Sequence, residues 1–128
     1  MDDLTQFRDL FFDTTRKHIE KIKSILDDLI LVSDIQKLTE LHLHLHSLKG
    51  EIYIMQYTNF GDYVTILEKY IKGIIEKKGI LSSESNTLIQ KEIEEIAKYL
   101  DFIKTENKEP DDIVSRSENL RKGLGIVL

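Results

Sequence analysis

Leu38-Thr39-Glu40-Leu41-His42-Leu43-His44-Leu45-His46-Ser47-Leu48-Lys49-Gly50-Glu51-Ile52-Tyr53-Ile54-Met55 is the stretch that decides the fold. Leu38, Leu41, Leu45, Leu48, Ile52 and Met55 recur at steps of three and four, which lines one face of an α-helix. The spacing predicts a helix from about Asp34 to Gln56. Ser33 is the expected N-cap, with Gln36 three positions later completing a capping box.

The same periodicity extends in both directions. Upstream, Leu4, Phe7, Phe11, Ile22, Leu26 and Leu29 share a face of a first helix that ends near Leu31-Val32. Downstream, Thr58 or Asn59 is expected to cap a third helix with Phe60, Val64, Leu67, Ile71 and Ile74 inward. Lys77-Lys78 followed by Gly79 is a C-terminal signal. Ser82-Ser83 opens a fourth helix with Leu88, Ile89, Ile93, Ile96, Leu100 and Ile103 inward. Residues Asn107 to Pro110 break it, and Pro110 suits the first position of a short fifth helix. The apolar end, Gly123-Leu124-Gly125-Ile126-Val127-Leu128, is free to dock on the other helices or to fray. No strand alternation and no internal repeat is read. The expected architecture is all-α: an antiparallel up-down four-helix bundle over residues 1–106, with a short C-terminal helix and tail over 107–128.

Composition narrows the function classes. The 128 residues make one domain, 32 % charged and 41 % apolar, with a single proline. A formal net charge of −5 leaves no basic stripe for nucleic acid. The absence of cysteine excludes disulfide scaffolds, thiolate zinc sites and cysteine nucleophiles. No apolar run approaches the ~20 residues of a membrane span. The start, Met1-Asp2-Asp3-Leu4, is acidic and no signal segment follows it, so the cytoplasm is the expected compartment.

His46 carries the chemistry. With the leucine stripe as the core face, His46 falls about 120° from its centre, at the edge of the solvent face. Lys49 and Gly50 flank it on the next turn. A neutral imidazole is a nitrogen nucleophile that can hold a phosphoryl group, and an ammonium one turn away offsets incoming negative charge. Glycine in a helix interior costs roughly 0.5–1 kcal/mol against alanine, so Gly50 suggests room left for a partner's approach.

His46-Ser47-Leu48-Lys49-Gly50 resembles the signature of histidine phosphotransfer domains, and most closely the N-terminal phosphotransfer domain of chemotaxis-type histidine kinases. The resemblance covers roughly residues 4–105. It includes Leu4, Phe7, Phe11, Ile22 and Leu26 of the first helix and the pair Leu67-Glu68 in the third. It implies a phosphorelay carrier in two-component signalling, with His46 as acceptor and Glu68 hydrogen-bonded to it as the group that orients the ring. It also implies that the partner, a response-regulator receiver domain or a histidine kinase, supplies Mg²⁺ and most transition-state stabilisation. No phosphate-cradling glycine loop is present, so no ATP site, no intrinsic cofactor and no autonomous enzyme is expected. A monomer is expected. Glu51, Ile52, Tyr53 and Gln56 depart from the small residues and second glycine usual in the family. Thr65 stands where chemotaxis-type domains tend to carry a second histidine.

Several residues admit two readings. Leu43, Tyr53 and Ile54, with His42 beside them, form a candidate rim for a docking receiver, or else pack against the fifth helix or tail. His42 and His46 lie four apart and could share zinc, but His44 points about 160° away from both, and no metal site is expected. His42 then reads as a neighbour that tunes His46 or a neutral boundary residue, and His18 as a structural residue. Lys77-Lys78 and Glu92, Glu94 and Glu95 read as solvated charge. Two alternatives to a relay intermediate stand: a detached phosphotransfer domain of a chemotaxis-type kinase, and a helical interaction module without phosphotransfer, which the bulky Glu51, Ile52 and Tyr53 favour.

Overall fold

The computed structural model describes residues 2–77 and 79–125, with side chains from residue 5 onward. Among the described residues five helices run in order: α1 Asp2–Leu31, α2 Ile35–Ile54, α3 Thr58–Glu76, α4 Ser83–Glu106 and α5 Ile113–Leu124. The described residues contain no strand. None of their helices is long and apolar enough to cross a membrane.

Helix α2 packs between α1 and α3, α1 also meets α4, and α5 lies against α3. The periodic residues enter one core as expected. Leu38, Leu41, Leu45, Leu48 and Ile52 of α2 are buried, as are Phe60, Val64, Leu67 and Ile71 of α3 and Ile89, Ile93, Ile96, Leu100 and Ile103 of α4. Burial of such side chains stabilises the fold by roughly 1.5–3 kcal/mol each. Between α3 and α4 the space is filled by rings: Tyr99 meets Phe60 and Tyr63 edge to face at 5.9 and 5.7 Å. Arg116 fastens α5 by donating from Nε to the Tyr63 hydroxyl at 3.1 Å and from Nη2 to Glu92 Oε1 at 3.3 Å.

Helix ends differ from the sequence reading in instructive ways. The cap of α2 is Asp34 rather than Ser33, its Oδ1 accepting from the Gln36 amide at 2.9 Å. A carboxylate one residue nearer the helix gains from the helix dipole as well. Neither Thr58 nor Asn59 caps α3 with its side chain; the cap residue is Tyr57, without a side-chain bond. Glu109 serves instead from the α4–α5 connection, accepting from the Phe60 amide at 2.6 Å. Helix α5 begins at Ile113, after a turn in which the Pro110 carbonyl accepts from the Ile113 amide at 3.4 Å, rather than at Pro110. Ser82 caps α4 as expected, accepting from the Ser85 amide at 3.1 Å. Gly123 and Leu124 belong to α5, which closes on a left-handed Gly125 with φ 68°. The readings made on the Leu4 side chain, Lys78 and Ile126 to Leu128 lie outside the described residues.

One apolar expectation is overturned. Phe7 is 64 % exposed, beside an exposed Leu10. With Phe11, Thr14, Glu51, Ile54 and Met55 they line an open groove where α1 passes the end of α2. The stripe is continuous in sequence, but the helix that covers it stops at Ile54.

Candidate functional site

The leucine stripe fixes the rotation of α2, and that rotation distributes its polar residues over two flanks. His46 stands on the flank toward α3, with 61 % of its side chain exposed beside a Glu68 side chain only 8 % exposed. Its Nδ1 lies 2.7 Å from Glu68 Oε2. Lys49 Nζ donates to the other oxygen, Oε1, of the same carboxylate. His42 closes the group: its ring stacks on that of His46 at 6.2 Å between centroids, and its Nε2 is 3.2 Å from Glu68 Oε2.

Proton positions follow from these partners. An ionised Glu68 can only accept, so His46 donates through Nδ1–H. The neutral ring then presents a lone pair on Nε2. Burial works to raise the Glu68 carboxyl, but hydrogen bonds from Lys49 and His46, and their charges, outweigh it and hold the group below the usual carboxylate value. The result is a fixed anion under an open imidazole, able to stabilise positive charge that develops on the ring during attack by Nε2.

Gly50 lies one turn further along. A β-carbon added there would meet nothing within 4 Å, so no internal packing calls for the glycine. Leu43 and Ile54 stand on the outer side of the same helix, 57 and 76 % exposed. Tyr53 is different. Its ring lies over Gly61 of α3, where an added β-carbon would overlap it. Its hydroxyl donates to Asp62 Oδ1 at 2.6 Å and meets Thr65 Oγ1 at 3.1 Å. Tyr53 thus turns toward α3, on the edge of a groove of about 420 Å³ whose far wall is α5. His42 likewise turns toward Glu68 rather than outward.

The opposite flank holds a second group that the sequence reading did not assemble. His44 Nδ1 is 3.0 Å from His18 Nδ1 on α1, and His18 Nε2 is 3.1 Å from Glu51 Oε1. Taken with an ionised Glu51, His18 donates through Nε2–H and accepts from His44 Nδ1–H. Burial lowers the His44 imidazole, helped by the neighbouring His18 charge. Burial raises the Glu51 carboxyl, against the pull of His18, and its Oε2 is enclosed without a hydrogen-bond partner. The available signal was the position of His18 at the margin of its stripe, together with the outward angle of His44. Neither angle names the facing helix.

Among the described residues no group of three or more His, Cys, Asp or Glu side chains converges to hold a metal ion. Comparison with protein-family models and with curated proteins finds no match to this chain.

Proposed function

We propose that this protein is a phosphorelay carrier: His46 accepts a phosphoryl group and exchanges it with receiver-domain aspartates of two-component signalling. In this reading α1 to α4 form an antiparallel up-down four-helix bundle, with α5 laid against α3. The single observation that carries the reading is the pairing of His46 Nδ1 with a buried Glu68 at 2.7 Å, which leaves Nε2 open.

The chemistry follows from that tautomer. The Nε2 lone pair attacks the phosphorus of an aspartyl phosphate. The N–P bond forms as the P–O bond breaks, and its electron pair leaves on the aspartate carboxylate. The positive charge left on the ring is shared through Nδ1–H with Glu68, while Lys49 anchors that carboxylate and offsets the phosphoryl charge. The chain contributes a positioned nucleophile, and orientation is its share of the catalysis. The divalent ion and the remaining charge stabilisation belong to the partner. Open space at Gly50, with Leu43 and Ile54 beside it, offers an approach with an apolar rim. The turn of Tyr53 onto α3 keeps its ring off that approach.

The test is incubation with a phosphorylated receiver domain. We expect acid-labile, alkali-stable phosphate on the wild-type chain and none on His46→Gln. Equal labelling of His46→Gln, or no labelling of the wild type by any of a panel of receivers and histidine kinases, would overturn the reading.

A further inference from the structure

Tyr53 and Gly61 meet two turns away from the His46–Glu68 pair on both helices. Tyr53 follows His46 by seven residues on α2, and Gly61 precedes Glu68 by seven on α3. Gly61 is buried, and its missing β-carbon is what admits the Tyr53 ring. A β-carbon there would fall 2.7 Å from Tyr53 Cζ and nearer still to Cε1 and Cδ1, closer than side chains approach one another. Both ends of this seat are tied down. The Gly61 carbonyl accepts from Thr65 Oγ1 at 2.7 Å, and its amide donates to the Tyr57 carbonyl at 2.9 Å. The Tyr53 hydroxyl is held by Asp62 at 2.6 Å and Thr65 at 3.1 Å. Glycine within a helix costs stability against alanine. At Gly50 no internal packing explains that cost; at Gly61 the Tyr53 ring does.

We propose that Gly61 determines access to the phosphotransfer site: it seats the Tyr53 ring against α3 and so keeps the approach over Gly50 open to a protein donor. The proposal rests on the phosphotransfer reading above. Tyr53 stands about 20° from His46 on the α2 wheel and three residues beyond Gly50, so all three share one side of the helix. Side chains on a helix lean toward its N-terminus, over the residues three and four before them. For Tyr53 those residues are Gly50 and Lys49. The seat on α3 draws the ring off them. A methyl group at position 61 pushes from the α3 side and returns the ring to its own helix, across the space that Gly50 leaves. A receiver domain needs that space. A small phosphoryl donor does not, because it reaches Nε2 of the 61 % exposed His46 directly.

Two phosphoryl donors separate access from chemistry: a phosphorylated receiver domain, and phosphoramidate, whose P–N bond breaks as the His46 N–P bond forms and whose protonated nitrogen leaves as ammonia. Gly61→Ala should lose on the order of 10-fold in kcat/KM with the receiver, carried by KM, the scale of an aromatic ring misplaced in an interface. Its labelling by phosphoramidate should match wild type. Adding Tyr53→Ala to Gly61→Ala should recover most of the receiver rate, since no ring remains to displace. NOEs between the Tyr53 ring and the Gly61 α-protons should be present in wild type and lost in Gly61→Ala. An unchanged receiver rate in Gly61→Ala, as when the ring swings into the α3–α5 groove instead, would overturn the proposal. So would an equal loss with both donors, or a loss that the double variant keeps. If Gly61→Ala fails to fold, Tyr53→Phe decides. It loosens the ring without added bulk and should slow the receiver about 2- to 3-fold, the scale of a lost hydrogen bond, and phosphoramidate not at all; an unchanged receiver rate there overturns the proposal. A wild type that takes phosphate from neither donor brings down the phosphotransfer reading and the proposal together, whereas a labelled wild type with an indifferent Gly61→Ala brings down the proposal alone.

Discussion

On its α3 flank, α2 meets a glutamate that its own lysine and histidine both supply with donors; on its α1 flank it carries a glutamate that a single histidine of α1 supplies. Glu68 is buried, with hydrogen bonds to both oxygens, and its carboxyl is held low. Glu51 has a bond to Oε1 only, its Oε2 enclosed and unpartnered, and its carboxyl is pushed up. The imidazoles differ in the same sense. His46 gives one nitrogen to a carboxylate and leaves the other in solvent, whereas His18 has a partner at both nitrogens, Glu51 and His44. Burial raises both carboxyls, and only at Glu68 do the donors outweigh it. Only the α3 flank combines a firm anion with an open nucleophile.

Truncating the two glutamates is the strongest way to break this comparison. Glu68→Ala strips the acceptor from Lys49 and from His46 and is expected to cost about 2–3 kcal/mol in urea denaturation near pH 7. Glu51→Ala, measured alongside, should cost under about 1 kcal/mol, because it also removes an unsatisfied oxygen. Equal costs would show that the flanks are not different.

Gly50 sharpens the same contrast by separating stability from access. Gly50→Ala meets no internal obstacle. It should therefore stabilise the fold by about 0.5–1 kcal/mol while slowing phosphoryl exchange with a receiver. A variant that is more stable and equally fast would remove the access role.

Acid should reveal the two flanks in different windows. The folded value of His44 is depressed, so its contribution to stability is present above the ordinary histidine value, about 6.5, and is lost as pH falls through the lower folded value. Glu68, also depressed, contributes above the ordinary carboxylate value and loses that only at lower pH still. Glu51, raised, acts in the opposite sense: stability recovers as pH falls through its folded value. Denaturation midpoints of wild type should thus decline first below about pH 6.5, and His44→Gln should flatten that first decline while leaving the later one. An unchanged profile in His44→Gln would contradict the assignment.

The smallest effect concerns the end of α2, where Gln56 sits in the left-handed region at φ 67°. An L-residue there carries strain that glycine does not, so Gln56→Gly should stabilise by up to about 1 kcal/mol in the same urea measurement.

Much of this was legible in residue order. The leucine stripe gave the rotation of α2, and with it the exposure of His46 and the burial of Leu48. The pairing of His46 with Glu68 came from the resemblance rather than from spacing, since periodicity within each helix does not state the register between helices. For the same reason the His18–His44–Glu51 group was missed, as was the cap that Glu109 offers to α3 from 49 residues away. Phe7 failed for a related cause: a stripe tells which face is apolar, not how far the covering helix extends. Ser33 alone reads as the cap of α2 in sequence, but the helix begins at Ile35 and Asp34 caps it.

The most direct test of the central claim is to find which nitrogen of which histidine carries the phosphoryl group. Phosphorus–nitrogen correlation NMR on the labelled, ¹⁵N-enriched chain reads this out. The account predicts a single phosphoryl group on Nε2 of His46, with Nδ1–H retained toward Glu68. Phosphate on Nδ1 of His46, or on another histidine such as His44, would contradict it.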